Sequence, residues 1–176
     1  MKIISVLVLA MVLGVPVVSA EAPRVAGGVG FEAPAAWAET QPKSQMRLFQ
    51  FEVSGAGDEA PAELAVFYFG AGQGGEAEAN IERWKGQFNP LREGFSPEIS
   101  RSEVNGLKVI TVYLEGTYDS GVMMGAGGPQ TDYAVLGAIV EGPKGPVFFK
   151  MIGPQATVSG AKPDFREFVG SFQPQS

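Results

Sequence analysis

Residues 102–118, SEVNGLKVITVYLEGTY, decide the fold of this chain. Asn105-Gly106 is the dipeptide that best suits a two-residue turn with positive φ at both central positions. The residues after it are rich in β-branched and aromatic side chains, which fit a pleated surface. The stretch therefore reads as a strand at 102–104 turning into a long strand over 107–118, and so short a turn makes the two antiparallel. Gly142-Pro143-Lys144-Gly145 repeats the device, returning a strand over 133–141 into another over 146–152. Upstream, residues 46–53 alternate, with Phe49, Phe51 and Val53 on one face and Met46 and Leu48 on the other. A glycine- and proline-bearing loop over 54–62 then leads into a strand at 64–69.

Two helices are expected around these strands. Between Glu76 and Phe88, Ala77, Ile81, Trp84 and Phe88 recur in steps of four, three and four, which lays one apolar stripe along a helix. Glu76 and Glu78 fall in its first turn, where the helix dipole favours negative charge. Phe165, Phe168, Val169 and Phe172 form a second stripe, with Pro163 tolerated in the first turn. The strands at 64–69 and 133–140 are apolar on both alternating faces, whereas a sheet wetted on one side alternates cleanly. The expected architecture is α+β: an antiparallel β-sheet flanked by helices, an α/β/α sandwich.

The first twenty residues set the expected compartment. Lys2 precedes an uncharged apolar run over 3–13, Gly14 and Pro16 interrupt it, and Val18-Ser19-Ala20 offers small residues for cleavage, the pattern of a signal peptide over residues 1–20. The run is shorter than the roughly twenty residues of a membrane span, so no stable membrane anchor is expected after cleavage. Residues 21–29 read as a flexible lead-in and 30–176 as a single domain, large enough to bury about 70% of its unfolded surface. The chain has no cysteine, which is consistent with a core that needs no covalent staples and leaves no site for a lipid anchor. Its formal net charge is −6, and removal of Lys2 makes it more negative still. Such a surface repels phosphate backbones, so nucleic acid is not an expected partner.

Residues 30–37, GFEAPAAW, resemble the F-x-x-P-x-x-W opening of PsbP-like proteins, and residues 165–172, FREFVGSF, resemble their closing helix. That family comprises the extrinsic photosystem II proteins and bacterial relatives, and it shares a fold with a Ran-binding nuclear import factor. The resemblance implies an antiparallel sheet flanked by helices in a bacterial secreted member. It implies no activity, because members serve as assembly factors, stabilisers and envelope proteins without assigned roles. On the residues alone, Pro34 ends a short first strand and Trp37 plugs the edge of the core.

The motifs that could carry chemistry are few. Gly70-Ala71-Gly72-Gln73-Gly74-Gly75 is a literal G-x-G-x-x-G between a strand and a helix. A dinucleotide site also needs a second strand after the helix, and residues 89–97 (NPLREGFSP) read as irregular. A flexible connection is the plainer reading, with a small-anion site at Gly72, Gly74 and Gly75 as its reduced form, against which Glu76 and Glu78 compete. Ser159 and Lys162 match S-x-x-K but lack K-T-G and S-D-N companions, so they read as a turn into the last helix. With neither His nor Cys, the chain lacks the usual acid–base, nucleophilic and zinc-ligating side chains, and no cofactor or metal is expected. Residues 119–132 form a long glycine-rich loop carrying Val122, Met123 and Met124, adaptable apolar residues suited to a partner-docking tip. Copper(I) binding by Met123 and Met124 would need more ligands than two thioethers.

These observations lead to an expectation of a non-catalytic secreted or periplasmic binding or assembly-accessory module. Its partner would be a protein or an envelope component. The alternative is a carboxylate-based hydrolase acting on envelope glycan or lipid. That enzyme would need two carboxylates about 5 to 10 Å apart and one raised pKa.

Overall fold

The computed structural model describes residues 23–119 and 128–175. Its strands are β1 (Arg24–Ala26), β2 (Val29–Phe31), β3 (Trp37–Thr40), β4 (Arg47–Val53), β5 (Ala62–Tyr68), β6 (Phe88–Leu91), β7 (Glu98–Val104), β8 (Leu107–Tyr118), β9 (Gln130–Gly142), β10 (Gly145–Pro154) and β11 (Gln173–Pro174). Helix α1 (Ala77–Lys85) lies between β5 and β6, and α2 (Gln155–Gly160) and α3 (Lys162–Gly170) follow β10. The main sheet runs β3-β4-β5-β10-β9-β8-β6, with β7 also paired to β8. Its pairings are all antiparallel. The Asn105-Gly106 turn joins β7 to β8 with Val104 opposite Leu107, and the turn after β9 sets Gly142 opposite Gly145. Asn105 takes φ 49° and Gly106 φ 84°, as that turn requires.

Both faces of the sheet are buried over its centre. In β10, Val147, Phe149 and Met151 join one apolar cluster, while Phe148 between them joins another. The first cluster takes Val158 from α2, Phe165, Phe168 and Val169 from α3, and Phe172. The second takes Ile81 and Trp84 from α1 and Phe88 from β6. Trp84 sits over Gly137 so closely that a Cβ there would come within 2.5 Å of the ring. The Trp84 stripe is thus a core stripe, although α1 ends at Lys85 and Phe88 continues it from a strand.

Four segments differ from the sequence expectation. The lead-in at 21–29 is not a flexible tail in its described part: residues 24–31 make a hairpin, with Ala26, Val29 and Phe31 buried. Gly27 and Gly28 turn it with φ 54° and 78°, so a glycine pair supplied the turn signal. Segment 89–97 is not wholly irregular, because β6 runs through Leu91 and pairs with β8. β7 starts at Glu98 rather than 102, and the S-x-x-K stretch is not a plain turn: Ser159 lies in a short helix, α2, and Lys162 begins α3.

The residues at the two ends of the domain meet. Phe31 packs edge-on to Phe168 at 5.6 Å and to Phe149 at 5.2 Å, and Trp37 lies 5.2 Å from Phe168. The opening and closing motifs are therefore one packing unit. Ser171 Oγ accepts from the Glu32 amide at 3.0 Å, and β11 adds to the β1–β2 hairpin as a third strand.

Candidate functional site

An open groove of about 770 Å³ runs between edge strand β7 and helix α3. Ser100, Ser102 and Thr111 contribute small polar side chains to it, and Phe165 and Val169 an apolar wall. Among the described strands, β7 pairs only with β8, and six of its seven residues are exposed. At one end of the groove, Lys162 donates to both oxygens of Glu98 at 3.1 Å and lies 3.5 Å above the Tyr113 ring.

Behind that ring stands a polar chain. Tyr113 Oη donates to Glu115 Oε2 at 2.7 Å, Gln155 Nε2 donates to the same oxygen at 3.1 Å, and Arg92 Nε meets Oε1 at 2.7 Å. Burial, and then the Glu115 carboxylate, push the Tyr113 phenol well above its ordinary value. Glu115 is only 4% exposed, and Tyr113, Gln155 and Arg92 all meet its carboxylate, which ties it into the fold as a structural anchor. Glu63 and Glu78 are held below the ordinary range, the opposite of what a general acid needs. Burial works against the Glu63 charge, but hydrogen bonds and charges from Lys43 and Arg47 outweigh it; at Glu78 the Arg101 hydrogen bond leads.

The glycine-rich loop 70–75 borders a second groove, of about 730 Å³, floored by Ile110 and Ile139. Gly72 and Gly75 line it, whereas Gly74 is pressed on the core, where a Cβ would lie 2.8 Å from the Phe148 ring. Asn80 Nδ2 donates to the carbonyls of Gly74 at 2.8 Å and Glu76 at 2.9 Å, stitching the loop to α1. Gly74 thus has a packing reason independent of any ligand. Ser159 and Lys162 are not brought together as a nucleophile and base: Ser159 Oγ donates to the Ala156 carbonyl at 3.1 Å and Lys162 is committed to Glu98. Val122, Met123 and Met124 lie outside the described residues.

A feature that the sequence reading passed over lies on the opposite face from the first groove. Lys150 projects from the central strand β10, flanked in register by Ala65 and Gly137. Its Nζ donates to Gln87 Oε1 at 2.5 Å and lies 5.8 Å from the Trp84 ring and 5.5 Å from the Tyr118 ring. Among the described residues no carboxylate forms an ion pair with it. Burial, then the charges of Arg83 and Arg47, lower its pKa to about 7. The signal available in the sequence was a lone lysine inside the apolar run PVFFKMI.

No protein-family model matches the sequence, and no curated protein matches it. Among solved structures, cyanobacterial PsbP (CyanoP) from Synechocystis superposes with a TM-score of 0.54 at 16% identity, covering 92% of this chain and 98% of that one. A Pseudomonas aeruginosa protein of unknown function, PA94, aligns at a TM-score of 0.49 and 8% identity, over 81% of this chain and 99% of that one. The likeness to CyanoP gives this chain a PsbP-like fold of antiparallel sheets with a few helices, and at that identity it speaks for fold alone.

Proposed function

We propose that the chain is a non-catalytic binding or assembly-accessory module, an α/β/α sandwich of PsbP-like type exported by a bacterium to the periplasm or beyond. Its partner is a protein or envelope component that lays an extended segment along β7, against α3. The observation that carries this reading is the outer edge of β7, unpaired among the described residues, beside an open groove, since an edge strand offers backbone donors and acceptors to an incoming strand. The short polar side chains of Ser100 and Ser102 leave room there, and Phe165 and Val169 offer an apolar wall.

The test is a selection of displayed random peptides against the folded domain, with the winners mapped by amide hydrogen exchange. Protection of β7 amides by bound peptide, with loss of binding in Ser100→Arg, supports the reading. Peptides that protect no part of β7 or α3 refute it.

A further inference from the structure

We infer that the extended segment received along β7 is the β7 of a second copy of this chain, the two domains joining edge to edge about a two-fold axis at Ser102. This rests on the reading of β7 as a docking edge and names its partner. The outer edge of β7 is unpaired among the described residues, and the strand is exposed from Glu98 through Glu103. Val104 and Leu107 flank the two-residue turn as a hydrogen-bonded pair, and such pairs alternate with non-bonded ones along an antiparallel ladder. Val104, Ser102, Ser100 and Glu98 therefore bond inward to β8. The N–H and C=O groups of Ile99, Arg101 and Glu103 point outward, where a second edge can meet them.

Charge then selects the register. Two copies related by a two-fold axis perpendicular to the sheet run antiparallel with their faces aligned, so outward-bonding residues oppose one another. With Ser102 on the axis, Arg101 of each copy stands opposite Glu103 of the other, and each such pair exchanges both its N–H···O bonds. An axis at Arg101 sets arginine against arginine, and one at Glu103 sets glutamate against glutamate, both unfavourable. An axis at Ser100 sets Glu103 opposite Pro97, which has no N–H to give. Charges on an edge strand ordinarily ward off a second edge; here their order favours one register of self-pairing.

The side chains are available for it. Glu103 makes no hydrogen bond or ion pair among the described residues. Arg101 donates from Nη2 to Glu78 at 2.8 Å in a pair exposed on both sides, which leaves donors of its guanidinium for a second carboxylate. On the α3 side, Ser102 would face its own copy and Ser100 would face Val104, small residues that leave room beside the groove. The net charge of −6 sets two copies against each other at long range, but physiological salt screens that repulsion beyond about 8 Å. Pairs in contact keep their attraction.

Sedimentation velocity of the full chain over a concentration series tests the pairing, with amide hydrogen exchange on the same samples. One short strand makes an interface of the small, transient class, below about 1,200 Å², so the series must reach high protein concentration. A reversible monomer–dimer equilibrium, with the Arg101 and Glu103 amides protected in the dimer, is the expected result. Arg101→Glu and Glu103→Arg should each weaken association about tenfold or more, because each sets like charges opposite one another twice. An equimolar mixture of the two variants should associate again, since every opposing pair is then unlike. Both positions are exposed, so the variants should keep the tryptophan emission of the folded parent. A parent that stays monomeric, a dimer whose β7 amides exchange freely, or a mixture no better associated than either variant alone would overturn the inference. A monomeric parent whose β7 is still protected by displayed peptides overturns only the pairing of copies; peptides that protect neither β7 nor α3 remove the docking edge as well.

Discussion

Replacing Lys150 by methionine should make the protein more stable at neutral pH, and the size of the gain follows from its surroundings. The amine falls from an ordinary 10.5 to about 7 in the fold. At about 1.4 kcal/mol per unit, holding the charge inside costs about 5 kcal/mol wherever the folded state is protonated. Methionine keeps the stem volume and removes that cost, at the loss of the Gln87 hydrogen bond, about 1 to 3 kcal/mol for a charged donor. A net gain of about 2 to 4 kcal/mol at pH 6.5 remains. Its sign with pH is fixed. Between 7 and 10.5 the unfolded chain holds a proton that the folded chain has released, so the parent gains stability as pH rises. The gap between variant and parent should therefore shrink by about 1.4 kcal/mol per pH unit from 7 to 9.5. Urea melts followed by fluorescence of Trp37 and Trp84 would measure both quantities. Parallel pH profiles, or a variant less stable than the parent at pH 6.5, would show that the ammonium is compensated in some other way.

Other consequences are simpler to state. Trp84→Ala, at a ring 4% exposed, should cost about 3 to 5 kcal/mol in chemical denaturation, and a loss below 1 would place the ring outside the core. Phe31→Ala, which strips a side chain packed on Phe49, Phe149 and Phe168, should lose about as much. Gly137→Ala should destabilise the fold by driving Trp84 off the sheet, visible as a shifted tryptophan emission. Glu63→Gln should flatten the acid limb of the stability profile: the lowered Glu63 carboxyl favours the fold at neutral pH, and the parent loses that contribution as pH falls through its folded value.

The long hairpins were legible because each carried its own local signal, Asn105-Gly106 between β7 and β8 and Gly142 to Gly145 between β9 and β10. The two-sided sheet was legible too, since both alternating faces of β5 and β9 are apolar. Short elements were not. Three residues in β1 and β2 are too few to show a period of two, and only Gly27-Gly28 marked the turn between them. Strand β6, with Pro90 inside it, pairs with β8 through a tertiary contact that no propensity announces. The site divides in the same way. Glu115 in VYLEGTY and Lys150 in PVFFKMI are visible as lone charges in apolar strands, yet only the fold shows that Glu115 is met by Tyr113, Gln155 and Arg92 while Lys150, among the described residues, meets aromatic faces and a single amide oxygen.

The three-stranded sheet has a bearing on the order of events in biosynthesis. Its middle strand, β2 (Val29–Phe31), is synthesised long before one of its two partners, β11 (Gln173–Pro174). Phe31 likewise waits for Phe168, and Phe149 for Phe172. A growing chain therefore cannot complete this small sheet, or the aromatic packing around Phe31 and Phe149, until residues 165–174 have been added.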